Sequence, residues 1–161
     1  MEITLSFIKR YPMENKKIKN ATPVDYEGLH FRSKNEKTCY RILKEEGFNP
    51  KFEEVKFVIQ KAFKGTQPFY DRYKDRKQKK TVWGYSKYTT QNITYTPDFT
   101  FNHNGYLIVI EYKGYENDVS PMKMKMFRNY MEQNPEEHIA FFEVYAQKDL
   151  RQAIEIIKNL K

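Results

Sequence analysis

The segment Thr94-Tyr95-Thr96-Pro97-Asp98-Phe99 is followed, across Asn102-His103-Asn104-Gly105, by Tyr106-Leu107-Ile108-Val109-Ile110-Glu111-Tyr112-Lys113-Gly114. No other feature constrains the fold as strongly. Asn-Gly tolerates the positive φ of a tight turn, so the two segments are expected to fold back on each other as an antiparallel hairpin. Side chains alternate between the faces of a strand, which sends Glu111 and Lys113 the same way. Asp98, expected near the middle of its own strand, then lies beside that pair. Two carboxylates and an ammonium converge on one point.

A chain of 161 residues is long enough for one domain with a real core and short for two. Hydrophobic residues make up 39% and aromatic residues 16%, too much apolar material for a disordered chain. Lys and Arg outnumber Asp and Glu by 29 to 21, a formal charge of +8 that favours a polyanionic partner, with nucleic acid ahead of an anionic membrane surface. No apolar window approaches the length of a membrane span, and Glu2, Lys9 and Arg10 replace the apolar core of a signal peptide. A soluble, cytoplasmic protein is the expectation. The sole cysteine, Cys39, has no disulfide partner, and His30, His103 and His138 are too dispersed for a zinc site or a histidine-centred nuclease.

Residues 1–28 read as an irregular basic arm, with Lys9, Arg10, Lys16, Lys17 and Lys19 around Pro12. Helical spacing runs from Ser33 to about Glu46, and Gly47 stops it. Within that helix Glu36 has two readings, a capping-box partner of Ser33 and a site residue. Residues 51–62 read as a strand. Residues 63–90 interrupt the pattern with Lys74, Arg76, Lys77, Lys79 and Lys80 among Phe69, Tyr70, Tyr73, Trp83, Tyr85 and Tyr88, cations for phosphates and rings for bases. The alternatives there are a solvated basic loop and a long hairpin whose aromatics cover the core. Ser120 is expected to cap a helix that starts at Pro121, with Met122, Met126, Phe127, Tyr130 and Met131 on its buried face. Lys123 and Lys125 lie on the same helix as further candidate nucleic-acid contacts. A strand over 139–145 and an amphipathic helix over 148–160 complete the chain.

This order resembles the PD-(D/E)XK nuclease superfamily. A closer likeness is to a phage-associated endonuclease group related to endonuclease I type Holliday junction resolvases, carried by Arg32-Ser33-Lys34-Asn35-Glu36, Tyr95-Thr96-Pro97-Asp98-Phe99 and Glu111-Tyr112-Lys113-Gly114. It spans about residues 29 to 145. The resemblance implies an α/β restriction-endonuclease-like core (αβββαβ, a mixed central sheet flanked by helices), preceded here by the basic arm and followed by a carboxy-terminal helix. It implies a metal-dependent DNA endonuclease, selective for branched DNA in the resolvase case, working in the cytoplasm of a bacterial host or phage-infected cell. The backbone carbonyl of Tyr112 becomes a further metal ligand by resemblance, and Glu36 a further catalytic residue.

Phosphodiester hydrolysis needs positive charge where the transition state gathers negative charge. Asp98 and Glu111 offer hard oxygen ligands, for which Mg2+ is the natural cation, with Mn2+ a substitute. Lys113 would hold the attacking water and help neutralise the phosphate. Junction resolution also calls for two sites on opposed strands, hence a symmetric homodimer. The rival reading is a noncatalytic nucleic-acid-binding protein that retains the fold.

Overall fold

The computed structural model describes residues 22–75, 77–86, 88–114 and 119–161, so most of the amino-terminal arm lies outside the described residues. The chain enters as a short hairpin of β1 (Val24–Tyr26) and β2 (Leu29–Phe31). Residues 24–26 are thus a strand and not irregular arm, because Val24 and Tyr26 pack on the same core that buries Phe31 completely. Helix α1 (Lys34–Glu45) follows, with Ser33 as its N-cap: the Ser33 hydroxyl accepts from the Glu36 N–H at 3.2 Å. The Glu36 carboxylate accepts from the N–H of Arg32, at 2.9 Å, one residue earlier than the capping box anticipates. Cys39, Tyr40, Ile42 and Leu43 form the buried stripe of α1.

The strand expected over 51–62 breaks into β3 (Lys51–Phe52) and β4 (Phe57–Gln60). The break is at Glu53, whose φ of 50° turns the chain and whose N–H donates to the Asp98 carbonyl at 3.0 Å. From β4 the chain runs out through β5 (Phe63–Lys64) and β6 (Tyr70–Asp75). It returns through β7 (Lys80–Tyr85), β8 (Thr89–Thr90) and β9 (Ile93–Tyr95). Outgoing and returning pieces pair antiparallel as β4 with β9, β5 with β8 and β6 with β7, so residues 57–95 form one interrupted two-stranded ribbon. Of the two alternatives for this insertion the hairpin is correct, but its aromatics do not cover the core: Tyr70 is 58% exposed and Trp83 68%.

The central sheet is completed by β10 (Phe99–His103), β11 (Tyr106–Tyr112) and β12 (Ile139–Val144). Asn104 and Gly105, with φ of 47° and 83°, make the two-residue turn between β10 and β11. Strand order is β12-β11-β10-β3. The β11–β12 pair is parallel; helix α2 (Ser120–Gln133) and a 3₁₀ turn (Pro135–Glu137) make the crossover that a parallel pair requires. Helix α3 (Gln147–Lys158) is the last element.

Alternation along β11 separates two cores. Ile108 and Ile110 join the cluster with α1 and α3, while Val109 and Leu107 join α2, Phe57 and Tyr95. The sheet is therefore covered on one face by α1 and α3 and on the other by α2. Glu111 and Lys113 continue the row of Leu107 and Val109, so they emerge on the α2 side. On α2 the structure corrects two expectations. Met124 is buried and Met122 is 65% exposed. Val119, not Ser120, is the N-cap, and it makes no side-chain capping bond. No helix among the described residues is long and apolar enough to cross a membrane.

Candidate functional site

Phe99 pairs with Ile110 across the hairpin, so Asp98, one residue before β10, faces Glu111 at the open end. Asp98 is not in mid-strand. It sits in the break between β9 and β10, after Pro97, which has no N–H to extend a ladder. Its Oδ2 accepts from the Tyr112 N–H at 2.7 Å, and its Oδ1 lies 3.2 Å from Arg32 Nη2. Glu111 Oε2 accepts from the Tyr95 hydroxyl at 2.8 Å. Glu111 Oε1 is 3.6 Å from Lys113 Nζ, and the same ammonium donates to the Ser120 hydroxyl. The Lys113 N–H donates to the Val144 carbonyl at 2.7 Å, which ties the end of the strand to β12.

These groups are unusual in being inside. Asp98 and Lys113 are each only 5% exposed. Burial, then the neighbouring Glu111 charge, raises the Asp98 carboxyl to about 8 against the lowering effect of the Tyr112 N–H; Glu36 raises it further and Arg32 lowers it. Glu111 is also raised, by burial first, with Tyr95 and Lys113 opposing. Burial and the Glu111 charge push the Tyr95 phenol up, so it stays protonated as a donor. Cys39 is raised by burial and remains an inert thiol.

Asp98, Glu111, Tyr95 and Ser120 line a cleft of about 450 Å³, with Arg32, Glu53, Lys56 and Lys123 as its charged rim. Arg32 Nη2 also pairs with Glu53 Oε1 at 2.6 Å, and Arg32 Nε lies 3.9 Å from Glu36 Oε1. Glu143, in register with Glu111 on β12, pairs with Arg128 instead.

The sequence-predicted residues divide clearly. Asp98 and Glu111 line one cleft with Lys123, Lys113 stands behind them against Glu111, and Glu36 is near enough to perturb Asp98 while holding its helix cap. Lys125 is exposed on α2 and does not line the cleft. Lys74 and Lys80 are on the ribbon and Lys77 and Lys79 at its tip, whereas Arg76 lies outside the described residues. Sequence reasoning gave no role to Arg32, Tyr95 or Glu53. Arg32 and Tyr95 lie inside the quoted motifs; Glu53 has no local signal, since the left-handed turn at that residue brings it to the cleft.

A buried acid, a partly buried acid and a buried lysine at the open end of one hairpin, flanked by helices, define a mixed α/β protein with a paired-carboxylate cleft. A family model described as "Protein of unknown function (DUF1064)" matches residues 16–140, and the chain belongs to that family. The match takes in α1, the ribbon, the hairpin with Asp98, Glu111 and Lys113, and α2. No match is found among curated proteins or solved structures.

Proposed function

We propose that this protein is a metal-dependent DNA endonuclease built on a restriction-endonuclease-like core. The observation that carries the reading is the Asp98–Glu111 pair: burial raises the proton affinity of both carboxylates and the Glu111 charge raises that of Asp98 further, with only Arg32, Lys113 and neutral donors to offset them. A structural role favours neutral or fully paired groups at such a position. A divalent cation relieves that repulsion.

Among the described residues no group of three or more His, Cys, Asp and Glu side chains converges as a ready-made metal cage. Mg2+ needs none, because it keeps several waters and binds through one or two carboxylates and the substrate phosphate. Asp98 and Glu111 would hold it, with the Tyr112 carbonyl as the backbone ligand by resemblance, and Mn2+ would substitute. Bound there, the cation supplies Lewis-acid polarisation of the phosphate and a more acidic water. Lys113, held between Glu111 and the Ser120 hydroxyl, presents a fixed ammonium to the charge that develops at phosphorus. Tyr95 holds Glu111 in one orientation, and the Tyr112 N–H does the same for Asp98. Lys123 and Lys56 on the rim offer phosphate contacts outside the reacting group.

Action on branched DNA would require two such sites and hence a homodimer. Isothermal titration with Mg2+ and Mn2+ tests the cation site: wild type should bind, and Asp98→Asn and Glu111→Gln should each lose binding at least tenfold. Unchanged cation affinity in both variants overturns the assignment.

A further inference from the structure

The ribbon has two unlike faces. In its β6–β7 segment Tyr70 pairs with Tyr85, Arg72 with Trp83 and Lys74 with Thr81, and alternation puts all six side chains on one side. The other side carries Asp71, Asp75, Tyr73, Val82, Gly84 and Lys80. On that side Tyr73 lies across Gly84 so closely that a Cβ there would stand 2.3 Å from the ring. Tyr73 and Val82 are partly buried there. The first face is bare: Trp83 is 68% exposed, Tyr70 58% and Tyr85 47%.

Its rings are also organised. The Arg72 guanidinium sits 5.7 Å from the Trp83 ring centroid, and the Tyr70 and Tyr85 rings meet edge-on at 5.7 Å. Both acids of this segment lie on the opposite face, so the only charges interleaved with the exposed rings are those of Arg72 and Lys74. Lys77 and Lys79 extend the charge at the tip, where the Asp75 carboxylate accepts from the N–H groups of Lys77 and Gln78. An exposed apolar surface of this kind calls for a partner. Rings alternating with cations are complementary to a strand that offers both π-faces and phosphates.

We infer that the Tyr70–Trp83–Tyr85 face of the ribbon is a stacking platform for unpaired bases of a single-stranded nucleic-acid segment, with Arg72 and Lys74 taking its phosphates. A closed duplex presents phosphates but hides its base faces, so it satisfies the cations and leaves the rings exposed. The ribbon is continuous with the cleft wall, since its base strand β9 ends at Tyr95, which bonds Glu111. Unpaired DNA held on the arm would therefore lead back to the acid pair. The inference rests on the nucleic-acid part of the proposed function and names its substrate class: DNA with an unpaired stretch, as at a branch, flap or gap.

Trp83 is the sole tryptophan of the chain, so its fluorescence reports this face directly. The full chain is titrated in chelator, which prevents cleavage, with oligothymidylate and with a blunt duplex of equal phosphate number. The expected result is strong quenching by the single strand and little by the duplex. Trp83→Ala should weaken single-strand binding about tenfold, the loss of one base–ring stack, while Trp83→Phe retains most affinity. Lys77→Gln/Lys79→Gln should lower the salt dependence of binding to both. Binding without a change in Trp83 emission, or equal quenching by the duplex, overturns the platform and leaves the nuclease reading standing. Absence of binding to either nucleic acid defeats both. An emission shift that follows protein concentration alone assigns the face to a second copy of the chain and also overturns the inference.

Discussion

The Arg32 guanidinium lies 3.2 Å from the Asp98 carboxylate, an exposed cation set over a buried acid: side-chain exposure is 63% for the first and 7% for the second. Arg32 lowers the Asp98 proton affinity, and its effect is opposed by burial, Glu111 and Glu36. The pair therefore stabilises the fold only when Asp98 is ionised, and solvent screening keeps it modest. Arg32→Ala should cost about 1 kcal/mol at pH 9 in chelator and less at pH 6, and Mg2+ should restore the loss. Urea unfolding at both pH values checks this; an equal cost at each contradicts it.

The Asp98 shift has a defined sign. Its carboxyl goes from an ordinary 3.8 to about 8 in the folded protein, so between those values the folded state holds a proton that the unfolded chain has released. Its contribution to stability therefore falls as pH rises from about 4 to about 8, and levels off above. Asp98→Asn keeps an oxygen for the Tyr112 N–H and removes that slope. The variant should exceed wild type in stability at pH 8 without metal, by on the order of a few kcal/mol, and should gain nothing from Mg2+. Parallel stability profiles for the two proteins would contradict the buried-acid account.

Lys113 offers a separate handle on chemistry. Its stem is buried among the ends of β11, β12 and α2, so Lys113→Met keeps volume while removing the ammonium. Cleavage should fall at least about 100-fold with DNA affinity changed less than threefold. Single-turnover rates at saturating enzyme measure this, and a loss confined to binding would make Lys113 a phosphate contact only.

Glu36 combines a cap with proximity to Asp98. Glu36→Gln keeps an oxygen for the Arg32 N–H, whereas Glu36→Ala loses it and should cost about 1 kcal/mol of stability. If the charge of Glu36 serves the site, both variants lose cleavage and only the alanine variant loses stability. Full activity of Glu36→Gln assigns the residue to the cap alone.

Local chemistry made much of the central motif legible. Asn104-Gly105 announces the turn, strict alternation sends Glu111 and Lys113 to one side, and the register brings Asp98 opposite them. Ser33 announces the start of α1 in the same way. What stayed hidden depends on long-range geometry. Helix α2 carries Met122, Met124, Met126 and Met131 at spacings that fit more than one face, so only burial in the cluster with Phe57, Tyr95, Val109 and Phe127 selects Met124. Glu53 reaches the cleft through a left-handed turn at a non-glycine residue, which no propensity favours. Ser120 reads as a helix cap, yet its hydroxyl accepts from the Lys113 ammonium. The ribbon lacks a buried face strong enough to impose alternation of apolar and polar residues, so its strands were not visible as such.

The central claim, that Asp98 and Glu111 form a cation-dependent hydrolytic site, is tested most directly by magnesium-dependent cleavage. Wild type and Glu111→Ala are compared side by side on a four-way junction, a linear duplex and single-stranded DNA. The account predicts cleavage by wild type only, abolished by chelator and greatest on DNA that contains a branch or unpaired segment. Robust cleavage by Glu111→Ala, or tight binding by wild type with no cleavage of any substrate, would contradict it.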